Sequence, residues 1–166
     1  MDALSFNASW SHGSPPAWAP ENSQPGGCMS GANPYIAPAH VEAARQPYRI
    51  TVRHGESATE IAVDPSRIPY QDDGLPGSVL DILLGHDVAI DHACGGVAAC
   101  STCHVHVFQG MESTNEISDA EADQLDYAAD CRPNSRLACQ CVPNGKMSVS
   151  VSIPSWNRNQ AHEEHS

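Results

Sequence analysis

Residues 92–105 read HACGGVAACSTCHV, and this stretch places Cys94, Cys100 and Cys103 in a C-x5-C-x2-C array. A fourth cysteine, Cys139, follows in the sequence RLACQ after 35 intervening residues. Three thiolates from one short loop and a fourth from a distant point of the chain can hold a two-iron, two-sulfur cluster. The residues between the first three are nearly all small, which allows the backbone to curl tightly and direct N–H groups at sulfur.

A structural zinc site is the alternative interpretation of four cysteines. Zinc modules usually combine two C-x2-C pairs, one for each knuckle of the site. Here only Cys100 and Cys103 form such a pair, and Cys139 is solitary. The spacing therefore favours an iron–sulfur cluster over zinc, and a zinc-stabilised interaction module remains the alternative of another class.

Further motifs extend this pattern along the chain, in the order VLDILL at 79–84, IDHAC at 90–94, ACSTCHV at 99–105, SDAEADQLDYA at 118–128, SRLACQ at 135–140 and SIP at 152–154. With them, residues 48–162 resemble the adrenodoxins of vertebrates and the [2Fe-2S] ferredoxins of bacterial iron–sulfur assembly. The resemblance implies an α+β, β-grasp (ubiquitin-like) ferredoxin fold, in which a mixed sheet wraps a helix and the cluster loop lies near the surface.

The resemblance also implies roles for individual residues. The matching cysteines hold one [2Fe-2S] cluster in that family, so Cys94, Cys100, Cys103 and Cys139 are the predicted ligands. His104 matches a histidine that links the cluster loop to the rest of the fold by hydrogen bonding. Such a protein is an electron carrier and not an enzyme, so we expect no catalytic residues.

Local patterns indicate the elements around the loop. Alternating apolar residues predict strands on both sides of a turn at Gly55, and a further strand after Cys103. Ser78 is a good N-cap for a helix over 79–84. Residues 65–77 are rich in proline and glycine and predict a surface loop, longer than the resembled family requires. We also expect a C-terminal strand over 147–153, with the side chains of Met147, Val149, Val151 and Ile153 pointing inward.

Residues 112–130 are strongly acidic and contain no Lys or Arg. Ser118 predicts the N-cap of a helix and Glu121 completes a capping box, while Ala122, Leu125 and Ala128 form an apolar stripe at helical spacing. A solvated helix face is the simpler interpretation of the acids. In the resembled family, however, this helix docks basic redox partners, and the matching acids are Asp119, Glu121, Asp123 and Asp126.

The composition limits the classes of partner. The formal net charge of −12 over 166 residues disfavours nucleic acid, whose phosphates would repel the chain, and predicts basic protein partners instead. No apolar run is long enough to span a bilayer. Cys28, Cys131 and Cys141 remain outside the predicted ligand set and suggest no disulfide framework, which suits a reducing compartment. We expect a monomer.

The chain divides into three parts. Residues 1–46 form a Pro- and Gly-rich extension predicted to be disordered, residues 47–154 the ferredoxin domain, and residues 155–166 a tail. Residues 1–44 lack Lys and Arg, unlike a mitochondrial presequence, and show no secretory signal. We therefore expect a bacterial cytoplasmic protein and regard the mitochondrial matrix as the less favoured location.

These observations lead to one functional hypothesis with two acceptors. An NAD(P)H-dependent flavoprotein, a ferredoxin reductase, supplies one electron, and the preferred acceptor is the machinery of iron–sulfur cluster assembly. The alternative acceptor is a cytochrome P450 or another oxygenase. A redox or iron sensor is a third possibility, but the sequence carries no DNA-binding feature for a transcriptional version.

Overall fold

The computed structural model describes residues 41–71 and 73–155. Its elements, in chain order, are β1 (Tyr48–His54), β2 (Ser57–Val63), α1 (Val79–Leu84), β3 (His104–Gln109), α2 (Asp119–Leu125), β4 (Ser135–Leu137) and β5 (Val149–Ile153). Single 3₁₀ turns occur at Pro65–Arg67 and Met111–Ser113. No helix in these residues is long and apolar enough to cross a membrane.

The five strands form one mixed sheet in the order β2-β1-β5-β3-β4. β1 and β5 are parallel, and the other three pairings are antiparallel. The predicted hairpin is confirmed, since β1 and β2 pair from Tyr48–Val63 to His54–Ser57 around Gly55, whose φ is 60°. A mixed sheet with two short helices is the α+β, β-grasp architecture expected from the resemblance.

Helix α1 lies in the core. Ser78 caps it by accepting a hydrogen bond from the Asp81 N–H, and the helix ends at Gly85, as predicted. Leu80 and Leu83 are fully buried and pack with the inward side chains of the sheet, while Leu84 is half-buried. Burying these leucines supplies the hydrophobic stabilisation that holds α1 in place, and the cysteine-rich stretch at residues 94–103 follows it in the chain.

Two predictions about the core are wrong. Met147 is exposed and β5 begins only at Val149, because residues 145–147 form the turn that precedes the strand. Ala122 is also exposed, and only Leu125 of the predicted stripe is fully buried, with Ala128 partly so. At the other end, Ala44 already packs into the core, upstream of the expected boundary at residue 47.

Some expectations concern residues outside the described ranges. They are the extension over residues 1–40, the tail over residues 156–166 and Cys28. The division of the chain into extension, domain and tail therefore stays a prediction.

Candidate metal centre

The chain between α1 and β3 curls back on itself at residues 94–103, which we call the ligand loop. Gly95, Gly96 and Ala98 adopt φ values of 67°, 82° and 54°. This left-handed region is open to glycine at little cost, whereas alanine is disfavoured there by its Cβ. The loop therefore has the tight curvature predicted from its small residues, with local strain at Ala98.

The four predicted ligands lie in two pairs. The Cys94 thiol lies beside that of Cys100, and the Cys103 thiol lies beside that of Cys139. Cys94 and Cys100 are half-buried, whereas Cys103 and Cys139 are fully buried. The site thus has an outer pair near solvent and an inner pair in the core.

The surroundings of the sulfur atoms favour thiolates, the form that binds iron. Burial raises the pKa of the Cys100 thiol, but hydrogen bonds from Thr102 and Cys94 outweigh it and hold the pKa below its usual value. In the inner pair, the hydrogen bond from Cys103 lowers the pKa of Cys139 and raises that of Cys103 itself. One member of each pair is therefore prepared to lose its proton first.

Several donors point at the same sulfurs. The backbone N–H groups of Cys94 and Thr102 also lower the pKa of Cys100, and that of Ala98 lowers the pKa of Cys139. The side-chain amide of Gln140 donates to Cys139 Sγ at 3.4 Å and to the Gly96 carbonyl at 3.2 Å. Such donors stabilise the added negative charge when a cluster is reduced.

The donor set fits a two-iron cluster. Among the described residues, no group of three or more His, Cys, Asp or Glu side chains is arranged to hold a metal ion. A [2Fe-2S] cluster, however, takes four cysteines, two at each iron, and bridging sulfides complete both irons. Two thiol pairs, an outer pair within the ligand loop and an inner pair that joins the loop to Cys139, meet that requirement.

Cys141 lies in a different environment. It is fully buried, its N–H donates to the Leu137 carbonyl at 2.9 Å, and its thiol is hydrogen-bonded to Thr114. Burial raises the pKa of Cys141 to about 11, so this thiol stays protonated. Two residues apart on a strand, Cys141 and Cys139 would share a face, but residues 138–140 form a turn and separate them. Cys131 is an exposed free thiol.

His104 connects the end of the ligand loop to β4, the strand that precedes Cys139. Its Nε2 forms a 2.7 Å hydrogen bond with Ser135 Oγ, which also accepts the Arg132 N–H at 2.8 Å. Cys103, which precedes His104, accepts a hydrogen bond at its carbonyl from the Ala138 N–H at 2.9 Å, and Ala138 precedes Cys139. Burial lowers the pKa of His104 to about 4, so the imidazole is neutral at neutral pH. The resemblance implies a linking role for His104, which stays a prediction that this hydrogen bond supports.

Helix α2 lies beside the ligand loop, where Ser101 Oγ contacts the Tyr127 carbonyl at 3.5 Å. Asp119, Asp123 and Asp126 are exposed, as a docking surface requires. We call these three residues the acidic face.

The expectation for Glu121 needs correction, because its carboxylate is fully buried. It accepts hydrogen bonds from Arg136 Nε at 2.8 Å, Arg136 Nη2 at 3.1 Å and the Leu137 N–H at 2.8 Å. Ser118 does accept from the Glu121 N–H, so the N-cap is confirmed. The Glu121 side chain holds β4 against α2 and offers no charge to a partner. The buried Glu121–Arg136 ion pair leaves no signal in the local sequence pattern.

Comparisons with known proteins agree with this geometry. Residues 61–144 match the family of the 2Fe-2S iron–sulfur cluster binding domain. The chain is 43% identical over 105 residues to the 2Fe-2S ferredoxin of Haemophilus influenzae, covering 58% of this chain and 92% of the relative. It is 41% identical over 86 residues to the 2Fe-2S ferredoxin of Escherichia coli K12, covering 52% of this chain and 77% of the relative.

Solved structures give the same result. The crystal structure of an ISC-like [2Fe-2S] ferredoxin from Pseudomonas putida superposes with a TM-score of 0.54 at 30% identity, covering 69% of this chain and 99% of the other. A putidaredoxin variant superposes with a TM-score of 0.53 at 25% identity, covering 64% of this chain and 96% of the other. The chain therefore belongs to the [2Fe-2S] ferredoxin family, and it is an electron-transfer protein that binds one [2Fe-2S] cluster.

Proposed function

We propose that Cys94, Cys100, Cys103 and Cys139 hold the cluster. The observation that carries the proposal is their arrangement as two neighbouring thiol pairs, with Thr102 Oγ1 hydrogen-bonded to Cys100 Sγ and the Gln140 amide donating to Cys139 Sγ. When bound, the cluster accepts and releases one electron. Cys94 and Cys100 would hold it on the solvent-facing side, and Cys103 and Cys139 would hold it on the core side.

Cys139→Ser tests this ligand set, and Cys141→Ser is its matched control, two residues away. We expect Cys139→Ser to lose the visible absorption of the cluster after anaerobic purification, and Cys141→Ser to keep it. If Cys141→Ser loses the cluster and Cys139→Ser retains it, the ligand set is wrong.

We further propose that an NAD(P)H-dependent flavoprotein reductase supplies the electron, and that iron–sulfur cluster assembly accepts it. The name of the ISC-like neighbour supports this acceptor, and the bacterial relatives support a cytoplasmic location. The acidic face beside the ligand loop supports basic partners. Charges placed in this way speed encounter with a basic surface and keep the complex short-lived in salt, as a shuttle requires.

A pull-down at low salt tests the acceptor. The immobilised holoprotein should capture proteins of the assembly machinery, and Asp123→Asn/Asp126→Asn should capture less of them. Glu56→Gln, an exposed acid at the β1–β2 turn, is the control for loss of charge alone. Capture of a cytochrome P450 or another oxygenase without any assembly protein would contradict the assignment.

A further inference from the structure

Residues 73–77, which precede α1, lie against both the ligand loop and the turn that carries Cys139, and we call them the clamp segment. The Leu75 N–H donates to the Cys139 carbonyl at 2.9 Å. Gly74 approaches so closely that a Cβ on it would lie 2.8 Å from the same carbonyl oxygen. On the other side, a Cβ on Gly96 of the ligand loop would lie 2.1 Å from the Gly74 nitrogen. Backbone therefore packs directly on backbone at both contacts. The expectation of a plain surface loop over 65–77 is wrong for this part of it.

The carboxylate of Asp81 in α1 fixes the clamp segment. Asp81 is fully buried, and it accepts hydrogen bonds from the N–H groups of Tyr70 at 3.1 Å, Gln71 at 2.5 Å and Gly77 at 2.9 Å. Hydrogen bonds to a charged acceptor are stronger than neutral ones, and three of them compensate the burial of the carboxylate. The last residue of the segment, Gly77, and the residues Tyr70 and Gln71 that precede it are thus attached to the helix in the core.

The clamp segment also brings a charge to the cluster site. Asp73 Oδ1 lies 3.9 Å from the position that a Cβ on Gly95 would occupy, and Gly95 adjoins Cys94. Under the proposed ligand set, Cys94 would hold the cluster on the solvent-facing side of the site, next to Gly95. A carboxylate on the same side would disfavour the added electron by charge repulsion.

We propose that the clamp segment positions the ligand loop against the turn that carries Cys139, and thereby sets both the lifetime of the cluster and its reduction potential. This inference rests on the proposed ligand set. No single residue of the segment is a ligand; each acts through backbone contact or charge. Groups that orient ligands in this way typically change metal affinity by about 10- to 100-fold when they are altered.

The rate at which the cluster is lost to excess chelator tests the positioning role, and the loss of visible absorption measures that rate. The variant is Gly74→Ala, and the matched control is Gly55→Ala. Both glycines have positive φ, 83° and 60°, but a Cβ on Gly55 meets nothing within 4 Å. The control therefore carries the backbone strain without the clash. We expect Gly74→Ala to release the cluster about 10- to 100-fold faster than Gly55→Ala. Equal rates would overturn the positioning role.

The reduction potential supplies a readout that a loss of stability alone would not change. Asp73→Asn keeps the shape of the side chain and removes its charge, and Glu56→Gln is the control at the β1–β2 turn. We expect the potential of Asp73→Asn to shift to a more positive value than that of the wild type, with Glu56→Gln unchanged. A potential identical in Asp73→Asn and Glu56→Gln would refute the inference even if Gly74→Ala failed to fold.

The outcomes separate this inference from the proposed function. Retention of the cluster by Cys139→Ser would remove the ligand set on which the clamp segment acts. Loss of the cluster by Cys139→Ser, together with equal release from Gly74→Ala and Gly55→Ala, would leave the ligand set intact and refute the clamp alone.

Discussion

Glu121→Gln should destabilise the fold although it removes one acid from a strongly acidic helix. In the native protein, the carboxylate satisfies two nitrogens of Arg136 and the Leu137 N–H, and both side chains are almost fully buried. Glutamine keeps one acceptor oxygen but leaves the guanidinium charge uncompensated in the core. Removing one partner of a buried ion pair costs about 3–5 kcal/mol, and the retained acceptor places this variant near about 3 kcal/mol.

Urea unfolding of the holoprotein under anaerobic conditions, followed by far-UV circular dichroism, measures the effect. With a urea dependence of about 1–3 kcal/mol per molar, a loss of about 3 kcal/mol lowers the midpoint by about 1–3 M. Asp123→Asn on the exposed side of α2 is the control and should stay within about 0.5 kcal/mol of the wild type. A Glu121→Gln midpoint equal to the wild type, together with weaker partner binding, would place Glu121 on the docking surface and refute the reasoning.

Three further predictions concern docking and packing. Asp126→Asn should slow association with a basic reductase in stopped-flow mixing at low salt, and the difference from wild type should shrink as salt screens the charge; a difference independent of salt would contradict electrostatic steering. Gly85→Ala should lower the free energy of unfolding by at least about 1 kcal/mol despite the better helix propensity of alanine, because its Cβ would lie 2.4 Å from Tyr70 Cβ; a stabilised variant in urea unfolding would show that Tyr70 moves freely. Ser135→Ala should cost about 1–3 kcal/mol by the same assay, since it leaves the buried His104 imidazole and a backbone N–H without their shared partner; an unchanged midpoint would contradict that contact.

Local sequence patterns predicted the elements whose partners are close in the chain. The β1–β2 hairpin follows from alternation around Gly55, and α1 from Ser78 at its N-cap and Gly85 at its end. The curvature of the ligand loop follows from its glycines. In each case the determining interaction lies within a few residues, where side-chain period and backbone preference decide the structure.

Contacts between distant segments could not be predicted in this way. The capping box placed Glu121 at the helix N-terminus, but Arg136, 15 residues away, offers a buried charge and takes the carboxylate. The role of residues 73–77 depends on Asp81 and on two close backbone contacts. The proline and glycine content of the segment predicts a loop but does not predict these contacts. The mixed sheet itself followed only from the resemblance, because a parallel pairing of β1 with β5 leaves no local pattern.

The most direct test of the central claim is the visible absorption, EPR spectrum and iron content of the full-length protein, purified anaerobically and measured before and after dithionite. We expect a red-brown protein with two irons per chain, EPR-silent when oxidised and giving one spin-half signal per chain after one-electron reduction. A colourless protein that contains one zinc and stays EPR-silent after dithionite would contradict it.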